Sequence, residues 1–153
     1  GGEMAGLVVG EALAATWAVL TWKQVAYWKD DRAFFGRIVE LVPDNGAAHG
    51  MLGMVHLREG RIPEAIAEYQ IALRLQPNYA QGHSNYGMAL EIQGRRDKAI
   101  SEYRAAVALD PNLAEAQHNL GTALIKAGFA DEGAAHLETA RRIEAARRLA
   151  SPR

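Results

Sequence analysis

The sequence predicts an all-α chain built as a stack of helix–turn–helix units. Three observations carry this. Gly53, Gly87 and Gly121 stand 34 residues apart; so do Gly60, Gly94 and Gly128; so do Pro43, Pro77 and Pro111. Small and helix-breaking positions that keep one spacing mark a stacked repeat, because one such unit cannot bury its apolar face alone. Stacks of this kind bind partners far more often than they carry out chemistry.

The elements follow in order. Units run over residues 46–79 and 80–113, and a third with an extended last helix occupies 114–153. Each opens with apolar residues at helical spacing, as from Ala48 to Leu57. The first helices are therefore expected over 47–59, 80–93 and 114–127. Gly60, Gly94 and Gly128 come next, where a helix end wants left-handed backbone. Then come helix starts at Pro63-Glu64, Asp97-Lys98 and Asp131-Glu132. Proline suits a first turn, and Asp suits an N-cap or the positive end of the helix dipole. Second helices are expected over 63–75, 97–109 and 131–149. Pro77 and Pro111 stop the first two of these and set the angle of the next helix.

The pattern within each unit resembles the tetratricopeptide repeat. Its first helix carries Leu52-Gly53, Tyr86-Gly87 and Leu120-Gly121. Its second carries small residues at Ala65, Ala99 and Gly133, large ones at Tyr69, Tyr103 and Leu137, and small ones again at Ala72, Ala106 and Ala140. Small residues let two helices approach closely, and the large one fills the gap beside them. The resemblance implies a right-handed superhelix. The third unit departs from it at Gly133, Leu137 and Ala145, where the other units keep Ala, Tyr and Pro. Without that proline its second helix runs on through Arg141, Arg142, Arg147 and Arg148, as a capping helix with a polar outer face does.

One period earlier, residues 24–45 form a degenerate half-repeat, with Phe35 at the aromatic position and Pro43 at the terminal proline. Residues 1–23 are apolar. From Ala5 to Trp22 the most polar members are Glu11 and Thr16, and the length approaches the ~20 residues of a membrane helix. Two readings stay open: the end of a membrane span, or an apolar helix that packs on the solenoid or on a second copy. A signal peptide fits poorly, since no basic segment precedes the stretch. Glu11 costs a span about 2.5–3.5 kcal/mol at mid-membrane.

The string from Thr21-Trp22-Lys23-Gln24 through Trp28, Asp30-Asp31, Phe35 and Pro43 to Leu52-Gly53 tips the balance. It is similar to the junction where the last membrane helix of glycosyltransferase-like proteins, of the O-mannosyltransferase type, enters a C-terminal tetratricopeptide domain. The resemblance implies that this chain is the C-terminal part of a larger protein at the bacterial inner membrane, with the catalytic residues elsewhere. The alternative is a stand-alone cytoplasmic adaptor. Lys23, Lys29, Arg32 and Arg37 would place the repeats on the cytoplasmic side, whereas the resemblance places them outside it.

Chemistry is hard to find in this sequence. There is no Cys, and 17 basic against 18 acidic residues leave no broad basic footprint for nucleic acid. The recurring glycines keep the 34-residue period, and no phosphate-binding glycine loop precedes a helix. Five histidines include His49 and His56, seven apart, and His49 and His83, at one repeat position. A metal site needs three or four convergent ligands, and packing explains these residues better. No cofactor is expected, and no catalytic residue.

Binding residues are expected on the inner face of the first helices, which lines the concave groove of such a solenoid. The set is Met51, Met54 and Arg58 in the first unit, and Gln81, Asn85, Met88 and Glu91 in the second. In the third it is Glu115, His118, Asn119, Thr122 and Lys126. Asn85 and Asn119 share one repeat position, and the resemblance implies that asparagine there bonds the backbone of a bound peptide. An amide can donate and accept at once. Met54 and Met88 suggest an adaptable apolar patch, and Met51 and Met54 stand where a carboxylate clamp would need polar residues. The partner is expected to be a protein or peptide.

Overall fold

The computed structural model describes residues 31–150. They form α1 (Asp31–Leu41), α2 (Gly46–Arg58), α3 (Ile62–Leu75), α4 (Ala80–Ile92), α5 (Arg96–Leu109), α6 (Ala114–Lys126) and α7 (Ala130–Ala150). From α2 onward each helix lies within one residue of its expected bounds at both ends. The expectations for residues 1–30, the apolar stretch 5–22 among them, lie outside the described residues. Within the described residues no helix is long and apolar enough to cross a membrane.

The glycines end the first helices as their chemistry requires. Gly60, Gly94 and Gly128 have φ of +74°, +84° and +94°. After α2, the Arg61 N–H donates to the His56 carbonyl at 2.9 Å and the Gly60 N–H to that of Leu57 at 3.1 Å. This paired closure satisfies carbonyls the helix end would leave open, and it recurs after α4 and α6. The starts take the second of the two roles open to Asp. Asp97 and Asp131 are each the second residue of their helix, so they act on the dipole and do not cap. Asn45 caps α2 with its side chain: Oδ1 accepts from the Ala48 N–H at 3.0 Å.

Within each unit the two helices meet at a glycine. A methyl carbon at Gly53 would lie 2.9 Å from the Tyr69 ring, and one at Gly87 2.6 Å from the Tyr103 ring. Both tyrosines are buried, each stabilising by about 1.5–3 kcal/mol through its apolar area. Ile66, Leu90, Ile100, Leu120 and Leu124 join them in one core that runs through all three units.

The stack ends where the repeat positions turn polar or small. Ile66 and Ile100 are buried, but the matching Ala134 is exposed; Leu73 and Val107 are half-buried, but the matching Arg141 is exposed. With Ala145 in place of proline, α7 continues without a break to Ala150. At the other end α1 buries no residue fully, and Phe35, in the register of Tyr69, is half-buried.

The stack curves. Helix α2 touches α4 and α4 touches α6, whereas α3, α5 and α7 do not touch one another. The first helices of the units therefore sit closer together than the second ones. They form the concave side.

Candidate functional site

A repeated polar bridge holds each first helix in place. His49 directs Nδ1 at the Glu68 carboxylate, 2.6 Å away, and Nε2 at the Pro43 carbonyl, 3.0 Å away. His83 does the same with Glu102 at 2.7 Å and Pro77 at 2.9 Å. In the third unit Gln117 takes the place of histidine. Its Nε2 donates to the Pro111 carbonyl at 3.0 Å, and its Oε1 meets His136 Nδ1 at 2.7 Å. One side chain thus ties the incoming turn, the first helix and the second helix together. His49, His83 and His136 serve these bridges, and no cluster of three His, Cys, Asp or Glu capable of holding a metal occurs among the described residues.

On this framework the concave wall is built from facing residues of neighbouring first helices. Gln81 Nε2 on α4 donates to Glu115 Oε2 on α6 at 3.0 Å. Asn119 Nδ2 on α6 reaches Ser84 Oγ on α4 at 3.4 Å. Lys126 Nζ on α6 lies 2.7 Å from Glu91 Oε1 on α4. Glu91 also accepts from the Tyr103 hydroxyl, at 3.2 Å. The structure thus brings together Gln81, Glu91, Glu115, Asn119 and Lys126 of the expected groove set.

The rest of that set is distributed differently. Asn85 is 5% exposed, and its Oδ1 accepts from Gln81 Nε2 at 3.0 Å. It lies in the floor. Met51 is exposed, Met54, Met88 and Thr122 are half-buried, and His118 is exposed. Arg58 is exposed and pairs with Asp31 at the start of α1. Ser84, Leu57, Ile92 and the Tyr103 hydroxyl belong to the wall or its floor and escaped the sequence reading. The signal for two of them was present: Leu57 stands one period before Glu91, and Ile92 one period before Lys126.

The exchange of Leu57 for Glu91 has an electrostatic consequence. The Tyr103 hydroxyl has Glu91 as its acceptor, whereas the buried Tyr69 hydroxyl faces Leu57's register and has no hydrogen-bond partner. Burial pushes the pKa of both phenols above the ordinary value. Nearby Tyr79 and Glu115 add to this at Tyr69, and Glu91 and then Glu115 at Tyr103.

Comparison with known proteins agrees with this architecture. Crystal structures of MamA superpose on the chain. One does so with a TM-score of 0.70 at 24% identity, covering 83% of this chain and 74% of that one. Another does so with a TM-score of 0.67 at 22% identity, covering 87% and 73%. The TPR2B domain of yeast Sti1, solved in a complex with pHsp70, superposes with a TM-score of 0.63 at 25% identity, covering 66% of this chain and 81% of that one. No curated protein matches. The family model described as Tetratricopeptide repeat matches residues 32–80 and 51–114, together more than half of the sequence, and the chain belongs to the tetratricopeptide repeat family.

Proposed function

We propose that the chain is a non-catalytic interaction scaffold that holds an extended segment of a protein partner against its concave face. The observation that carries this is the contact of α2 with α4 and of α4 with α6. It supports one curved wall, to which we assign Met51, Met54, Gln81, Met88, Glu91, Glu115, Asn119, Thr122 and Lys126, with Asn85 in its floor and Arg58 at its end. Extended peptides suit such walls because alternate side chains can point in while the backbone bonds to amides and hydroxyls. The complex of the Sti1 domain with pHsp70 supports the reading as a fold-level analogy.

The test compares two surface triples in the full chain: Met54→Ala, Asn119→Ala and Thr122→Ala on the groove, and Glu64→Ala, Arg74→Ala and Ser101→Ala on the outer helices. Hydrogen exchange and affinity are read for any bound peptide. The groove triple weakens binding at least about tenfold and the outer triple leaves it unchanged. The opposite result overturns the reading.

The sequence at 21–53 supports a finer proposal: this scaffold is the C-terminal part of a glycosyltransferase-like membrane protein, anchored through residues 5–22. The alternative is a soluble adaptor whose apolar N-terminal segment packs on the solenoid or pairs two copies. Chains 1–153 and 24–153 are to be fractionated with and without detergent. If only the longer chain needs detergent, anchoring stands; if both stay in solution without it, the adaptor replaces it.

A further inference from the structure

The groove's two halves differ in construction. Between α4 and α6 three polar links span the wall, Gln81–Glu115, Ser84–Asn119 and Glu91–Lys126. Between α2 and α4 no side-chain hydrogen bond or ion pair is made among the described residues. That half presents Met51, Met54 and Met88, with Ile92 57% exposed at its edge. Methionines on an open wall adapt to the shape of an inserted apolar side chain.

The charges add a second constraint. Arg58 is paired with Asp31, and Lys126 with Glu91. Glu115 is exposed and accepts only from the neutral Gln81 among the described residues, so its charge is not matched by a cation. Beside it stands the exposed His118. The wall therefore offers an apolar seat over α2 and α4 and one unmatched carboxylate at the start of α6.

We infer that the partner segment recognised by this groove carries a large apolar side chain followed, on its α6 side, by a lysine or arginine. This rests on the groove reading above and adds the chemistry of the ligand to it. The apolar side chain seats against Met54, Met88 and Ile92; the base pairs with Glu115. Glu115 stands level with Gln81, and Met88 and Ile92 follow ~10–16 Å further along α4 at ~1.5 Å per residue. Neighbouring helices lie ~8–10 Å apart and an extended chain advances ~3.3 Å per residue, so the two residues stand about four to six positions apart. The zipped wall between α4 and α6 acts as a rigid platform, and the unlinked methionine wall takes up differences in the apolar residue.

The experiment pans a phage-displayed library of random dodecapeptides on the full chain, then measures the selected peptides by fluorescence anisotropy. Three variants are compared: Met88→Gln, Glu115→Gln and Glu115→Lys. All three changes lie on the open wall, and circular dichroism checks that each variant stays helical. Selection of an apolar residue about four to six positions from a base is expected. Met88→Gln weakens such peptides at least about tenfold, Glu115→Gln weakens them several-fold, and Glu115→Lys turns selection toward acidic residues. Groove-dependent peptides without an apolar anchor, or with affinity unchanged by Glu115→Lys, overturn this inference and leave the groove reading standing. Selected peptides whose binding ignores both Met88→Gln and the groove triple Met54→Ala, Asn119→Ala and Thr122→Ala overturn both.

Discussion

Gly121 and Gly133 meet backbone to backbone: a methyl carbon built on Gly133 would stand 2.6 Å from the Gly121 carbonyl oxygen. The other units place Ala65 and Ala99 at this position and hold their helices apart with a tyrosine ring. The third unit has Leu137 in place of that ring, so α6 and α7 close on each other and only glycine fits. An alanine in a helix ordinarily stabilises by ~1 kcal/mol over glycine. Gly133→Ala is expected to do the reverse and lower stability by about 1–3 kcal/mol, as overpacking does. Thermal unfolding of the single variant checks this. Adding Leu137→Tyr, which would reopen the gap, should recover part of the loss.

The two core tyrosines predict a contrast. Tyr103→Phe removes a hydroxyl bonded to the Glu91 carboxylate, at a cost of about 1–2 kcal/mol. Tyr69→Phe removes a buried hydroxyl without a partner and should be neutral or stabilising by up to ~1 kcal/mol. Urea denaturation of both variants gives the order. A larger loss at Tyr69 would show that its hydroxyl is satisfied after all.

Both phenols also make the fold's stability fall in alkali. Their folded pKa values are raised above the ordinary value of about 10, chiefly by burial. The folded state therefore favours the neutral form. Its stability is complete below about pH 10 and falls as pH rises beyond that, because the unfolded phenols ionise first. Unfolding of the wild type and of the Tyr69→Phe/Tyr103→Phe double variant, measured between about pH 8 and 11.5, should give a flatter curve for the double variant. Parallel curves would contradict the assignment.

The bridge at His83 invites a swap. Its Nδ1 faces the Glu102 carboxylate and its Nε2 the Pro77 carbonyl, so one ring spans the second helix and the incoming turn. His83→Gln alone leaves the amide oxygen facing one acceptor, and about 1–3 kcal/mol should be lost. Adding Glu102→His recreates the Gln117–His136 arrangement of the third unit and should restore most of it. A thermodynamic double-mutant cycle isolates the coupling. Strictly additive losses would show that the pair is not a bridge.

Much of this architecture was legible in the sequence. Gly53, Tyr69 and Ala72 announce close helix packing by residue type alone, and Gly60 announces a left-handed helix end. The capping role of α7 could be read from Arg141 standing where Leu73 and Val107 stand. The bridges were not legible, since His49 and Glu68 are 19 residues apart and their meeting depends on the angle between α2 and α3. Nor was the burial of Asn85: the repeat position placed it on the groove face, but Gln81 folds over it.

By itself, the sequence determined the period, the helices, their stops and the face each turns to its partner helix. These come from local geometry and from the need to bury a stripe of apolar residues. Only the tertiary structure decided which groove residues meet. Gln81 and Glu115 pair at the repeat distance of 34, but Glu91 and Lys126 pair at 35, as do Ser84 and Asn119. That offset comes from the stagger between successive units of the superhelix, a property of how whole helix pairs pack. It joins Glu91 to Lys126 and leaves the methionine half of the groove without any such link.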